Sequence, residues 1–148
     1  MRLILVRHAK AEDREFGKED LERALTPRGI KQAQKVGKIL AKKYPKIDAI
    51  ITSLAFRARD TAKYIAKYQP KATFFLSPSI NPDRSAKDYE SQIYNEEWET
   101  IVIVGHEPTI GELVCKLCGS CPLKISKGCI IELCNQEGEW VIIGLRNF

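Results

Sequence analysis

Apolar positions along this chain fall into two kinds of run. Leu3-Ile4-Leu5-Val6 is short, uninterrupted and partly β-branched, as a strand buried on both faces requires. Ala49-Ile50-Ile51-Thr52, Thr73-Phe74-Phe75-Leu76 and Ile101-Val102-Ile103-Val104 have the same character. Between them the period changes to that of a helix. Ile30, Ala33, Gly37, Leu40 and Tyr44 mark one buried face, with Thr26 as N-cap, Pro27 at the first helical position and Pro45 as the stop. Ala55, Ala58, Ala62, Ile65 and Ala66 mark a second, with Ser53 as N-cap and Arg59, Lys63 and Lys67 turned to water. Ile110, Leu113, Val114 and Leu117 mark another, opened by Pro108. Lys10 to Arg23 is charged and aperiodic, which predicts a loop or irregular helix. Ser77 to Thr100 is polar, with one helix expected around Ala86 to Tyr94. Cys129–Cys134 and Glu139–Leu145 flank Asn135-Gln136-Glu137-Gly138 as the arms of a hairpin. Alternating strands and helices predict a three-layer α/β sandwich: a mostly parallel central sheet, helices on both faces and a C-terminal antiparallel hairpin. A length of 148 residues fits one domain, 1–148.

Composition changes this picture little. With 44% hydrophobic and 29% charged residues the chain is an ordinary globular one. No apolar run approaches the ~20 residues needed to cross a membrane. Met1-Arg2 leads straight into the first strand, which leaves no room for a signal peptide, so a cytoplasmic protein is expected. The net charge of +5 suits an anionic partner. Lys31, Lys35, Lys38 and Lys42 form one helical stripe, read as a solvated face. No aromatics interleave with it, so nucleic acid is not expected as a partner, and the lack of a long apolar run argues against a membrane. Cys115, Cys118 and Cys121 form a C-x-x-C-x-x-C run, with Cys129 and Cys134 further on. An odd count of five argues against a full disulfide framework. Packed, reduced thiols are expected there rather than a metal site.

The candidate chemistry stands at strand ends. The chain has only two histidines, and each follows a buried strand: Arg7-His8 after the first, His106 after the fourth. Ligand sites of open α/β sheets lie at the carboxyl ends of strands. Arg57 falls in the first turn of a helix just beyond another such end. If these strands are neighbours, Arg7, His8, Arg57 and His106 converge. Two guanidiniums offer planar donor forks suited to phosphate oxygens. Their charge also disfavours imidazolium and keeps His8 available as a neutral nucleophile. His106 can donate to phosphoryl oxygens as charge moves. Two histidines and two arginines are not a ligand set for a divalent cation, so no cofactor or metal is expected.

The same residues carry a resemblance. Leu5-Val6-Arg7-His8-Ala9 is similar to the signature of the histidine phosphatase superfamily, the phosphoglycerate-mutase-like fold. Leu25-Thr26-Pro27-Arg28-Gly29-Ile30-Lys31-Gln32-Ala33 resembles its L-T-x-x-G-x-x-Q-A segment. Ser53 to Ala62 resembles its S-x-x-x-R-A-x-x-T-A element, and Val104-Gly105-His106-Glu107-Pro108 its G-H-x-P element. The resemblance implies His8 as the phosphorylated nucleophile and Arg7, Arg57 and His106 as the phosphate pocket. The compact length most resembles the short SixA-type phosphohistidine phosphatases, implying a phosphorylated signalling protein as substrate. A small phosphate ester, or binding without turnover, are the alternatives. Ala9 stands where many members have glycine, and Glu107 where many have asparagine. Glu107 and Asp83 are the two candidates for a proton donor.

Overall fold

Six strands pair in the order β3-β2-β4-β1-β5-β6 in the computed structural model, which describes residues 1–14 and 18–148. They are β1 (Arg2–Arg7), β2 (Ala49–Thr52), β3 (Thr73–Leu76), β4 (Thr100–Gly105), β5 (Ile130–Gln136) and β6 (Glu139–Arg146). The first four in that order are parallel, and the β5–β6 hairpin closes the edge antiparallel. The expected sandwich is therefore present. Residues 15–17, within the charged stretch expected to be irregular, lie outside the described residues. Asp20–Glu22 of the same stretch forms one 3₁₀ turn.

β1 and β4 are apolar because helices cover both of their faces. On one side α1 (Pro27–Lys43) and α2 (Phe56–Ala66) bury Val36, Leu40, Ala58, Ala62 and Ile65 against Ile4, Val6, Val102 and Val104. On the other, α3 (Ala86–Glu90) and α4 (Thr109–Cys118) bring Tyr89, Ile110, Leu113 and Val114 onto Leu3, Leu5, Ile101 and Ile103. Alternate residues of one strand thus enter two cores, as a period of two dictates. Pairing β1 with β4 in register sets Arg7 opposite Gly105, so the two histidines that follow emerge side by side.

Thr26 caps α1 as expected, its hydroxyl accepting from Gly29 N–H. Gly29 is required there: a Cβ would stand 1.9 Å from the Lys10 carbonyl oxygen, inside any permitted contact. The lysine stripe Lys31, Lys35, Lys38 and Lys42 is exposed, and Lys35 stands over the Phe148 ring.

Several local expectations need correcting. Ser53 does not cap α2; the helix starts after Ala55, two residues later, while Leu54 N–H donates to Asn81 Oδ1 and Ala55 N–H to Ser53 Oγ. Arg59 does not stand free in water but lies over Phe56, 4.2 Å from its ring centre, and pairs with Asp60. Pro108 precedes α4 rather than opening it, and α3 is five residues long, ending well before Tyr94. Cys115 and Cys121 are joined in a disulfide across the end of α4, where free thiols were expected. The left-handed turn at Gly119 returns the chain toward Cys115 and makes that closure possible. Cys118, Cys129 and Cys134 are free. No helix among the described residues is long and apolar enough to cross a membrane.

Candidate active site

The carboxyl ends of β1 and β4 and the start of α2 deliver Arg7, His8, His106 and Arg57 into one cavity of about 460 Å³. All four sequence candidates for the pocket are thereby brought together. The imidazole ring centres lie 5.2 Å apart.

His8 is 6% exposed, and its Nδ1 lies 2.8 Å from the carbonyl oxygen of Ala9. A carbonyl only accepts, so Nδ1 carries the proton and Nε2 keeps its lone pair. Burial pulls the His8 pKa down to about 3, against the support of the Ala9 carbonyl, and the charges of Arg57, Arg7 and Lys127 add to the fall. The ring is neutral at physiological pH, as a nucleophile requires. Burial also lowers His106 to about 2, followed by His8 and Arg57. His106 Nε2 meets Ser53 Oγ at 2.8 Å, while its backbone N–H donates to Tyr89 Oη.

The arginines are held by a common logic. Arg7 Nη1 donates to Ile125 O at 2.8 Å, and Arg57 Nη1 donates to Asp20 O at 2.9 Å. Each Nε is buried and has no hydrogen-bond partner among the described residues. A buried guanidinium N–H without an acceptor costs stability. Two of them in one cavity with a neutral imidazole form a donor set suited to a tetrahedral oxyanion.

The backbone beneath the site is tied down. Gly128 N–H reaches the carbonyls of both Arg7 and His8, with a φ of +79° that favours glycine. Thr61 Oγ1 accepts from Ala9 N–H and donates to Arg57 O, joining the two halves of the pocket. Arg23, Arg84 and Lys127 add positive charge to the lining.

Both candidate acids line the cavity. Glu107 turns onto the first turn of α4, where Oε1 accepts from Gly111 N–H at 2.7 Å. Asp83 is exposed, with a φ of 73°. Sequence reasoning missed Asp20, Ser53 as a partner of His106, Thr61 and Lys127. Only Ser53 and Thr61, inside the S-x-x-x-R-A-x-x-T-A element, carried a signal. Among the described residues no cluster of His, Cys, Asp and Glu could hold a metal ion.

Comparison with known proteins agrees with this architecture. An uncharacterised protein of Mycobacterium leprae is 33% identical over 101 residues, or 68% of this chain. That match spans 62% of the relative's own length, less than two thirds. Among solved structures, a SixA from Agrobacterium tumefaciens superposes with a TM-score of 0.88 at 24% identity, covering 99% of this chain and 97% of that one. A protein histidine phosphatase SixA complexed with tungstate superposes at 0.86 with 21% identity, covering 98% and 96%. At such identities these two neighbours establish the fold. Residues 3–79, just over half of the chain, match the histidine phosphatase superfamily (branch 1), and the chain belongs to that superfamily.

Proposed function

We propose that the chain is a phosphatase working through a phosphorylated His8, and that its substrate is phosphohistidine on a protein. The observation that carries this reading is the pair of buried, unpartnered arginine Nε–H groups whose residues share a cavity with a neutral imidazole that keeps its Nε2 lone pair. In the proposed reaction the arginines hold the phosphoryl oxygens and His8 Nε2 attacks phosphorus in line. The bond to the leaving group breaks as the N–P bond forms, and water then hydrolyses phospho-His8. His106, donating through the ring nitrogen that now faces Ser53, stabilises the oxygens as charge shifts. Arg7, Arg57 and His106 are the proposed phosphate pocket. Residues 1–148 are read as one histidine phosphatase domain.

Support for an oxyanion ligand comes from the structural neighbour described above, which is complexed with tungstate. Support for a protein substrate comes from the two SixA structures described above, one of which is a protein histidine phosphatase. The fold also occurs in an α-ribazole phosphatase of Shigella flexneri, at a TM-score of 0.79, so small esters are the second reading.

The experiment has two arms. His8→Ala should abolish turnover of an aryl phosphate with the fold intact, and trapped wild-type enzyme should carry an acid-labile, base-stable phosphoryl group. Normal turnover by His8→Ala would sink the mechanism. Rates on a phosphohistidine protein and on a panel of sugar phosphates then separate the two substrate classes.

A further inference from the structure

We propose that Asp20 is a positioning residue that fixes Arg57 with its side edge turned to the phosphoryl group. This rests on the reading of the cavity as a phosphoryl site.

Asp20 lies on the 3₁₀ turn 37 residues before Arg57 and holds it twice. Its carbonyl accepts from Nη1 at 2.9 Å, and its Oδ2 accepts from Nη2 at 3.1 Å. Together these occupy the end-on fork of the guanidinium. The fork that remains consists of Nε and the second hydrogen of Nη2, and Nε is the buried donor without a partner. Oδ1 of the same carboxylate accepts from Arg23 Nε at 3.0 Å and from Arg14 Nη2 at 3.3 Å. One carboxylate therefore spaces three guanidiniums, two of which line the cavity. Without it these like charges repel one another, and Arg57 regains rotamer freedom that substrate binding must then remove.

Arg7 supplies the internal comparison. Its Nη1 is held by a backbone carbonyl, which no side-chain substitution can remove. Arg57 has a side-chain anchor in addition, so the orientation of one fork can be changed while the other stays fixed. A carboxylate so close also takes one unit of charge out of the pocket. The two effects have opposite signs for an anionic ligand, which makes the claim decidable. Fixing the fork outweighs the lost attraction, because a bidentate grip depends on the plane of the guanidinium and not on its charge alone.

The test compares Asp20→Asn and Asp20→Ala with wild type in the full chain. We expect the vanadate inhibition constant to rise roughly tenfold in Asp20→Ala, the lower end of what loss of an orienting partner does. In Asp20→Asn it should rise less, since the amide oxygen still accepts from one guanidinium N–H. kcat on an aryl phosphate should fall in the same order, at melting temperatures close to wild type. Values unchanged within about twofold, or tighter vanadate binding, would overturn the proposal. A second measurement needs no turnover. The Nε–H resonance of Arg57, identified by its loss in Arg57→Lys, should be sharp in wild type and broadened by rapid exchange in Asp20→Ala. An unchanged resonance overturns the proposal as well. If wild type neither turns over an aryl phosphate nor binds vanadate, the phosphatase reading fails, and the resonance still decides the role of Asp20.

Discussion

Lowering the pH from 7 to 5 should destabilise the fold by about 4 kcal/mol, through His8 and His106 alone. Both rings are buried, 6% and 5% exposed, and both are held far below the ordinary value of 6.5. In the unfolded chain each takes up a proton as the pH falls through 6.5. In the folded chain neither does so until about 3 or 2. The unfolded state thus binds more protons throughout this window, and stability falls with pH. Each pH unit below 6.5 costs ~1.4 kcal/mol per ring at full slope. Integrated from 7 to 5 this is roughly 2 kcal/mol for each histidine.

The chain has no other histidine to confuse the measurement. The carboxyls held below their ordinary values, Glu12, Asp20, Asp88 and Glu90, lose stability only as the pH drops through 4.5 or 3.8 and below, under this window. Urea unfolding at pH 7 and 5 is the assay, and His8→Asn should remove about half of the difference. A folding free energy that stays level across those two pH values would mean that the native imidazoles are charged, and the nucleophile argument would fall with it.

The remaining predictions concern the pocket. Arg57→Ala and Arg57→Lys should each lose on the order of a hundredfold in kcat/KM, because lysine offers a point charge in place of a planar fork. Arg59→Ala should stay within about twofold, since Arg59 lies over Phe56 and pairs with Asp60 on the same helix. The reverse pattern would place the wrong arginine in the pocket. Activity should survive EDTA, because arginines and histidines supply the electrostatics; loss on chelation and recovery with zinc or magnesium would contradict this.

Much of the architecture was legible because burial on both faces leaves a plain mark. Leu3 to Val6 and Ile101 to Val104 are apolar without interruption since α1 and α2 cover one side and α3 and α4 the other. The pairing of β1 with β4 meets the condition under which the two histidines share one site. Features that depend on contacts between distant residues were not legible. Ser53 has the right chemistry for a helix cap, and only the position of His106, 53 residues on, shows where its hydroxyl is directed. Cys115 and Cys121 carry no sign of pairing until Gly119 turns the chain back. Glu132 sits inside the apolar run of β5, and it is buried there because Tyr44 donates its hydroxyl hydrogen and Lys43 its ammonium to the carboxylate. A buried acid needs such partners, and a sequence does not show them.

Carboxylates are the hardest residues to read near a cationic pocket, because the same side chain repels substrate, donates a proton or orients an arginine according to what it touches. Glu107 stands next to His106, and its Oε1 turns to the Gly111 N–H, where the start of α4 favours negative charge. A side chain at position 111 would press on that carboxylate, since a Cβ there stands 3.2 Å from Oε1. Asp20, in a stretch with no periodicity at all, holds Arg57 of the proposed phosphate pocket. Burial works against its charge, but the guanidiniums of Arg57 and Arg23 outweigh this and hold its carboxyl below the usual range. Both acids have oxygens engaged by N–H donors, which suits an anchor better than a proton donor. Glu107 and Asp20 thus spend their negative charge on N–H donors, as the proposed phosphoryl site requires. A phosphohistidine leaving group suits such a site, since cleavage of an N–P bond asks less of an acid than cleavage of a phosphate ester.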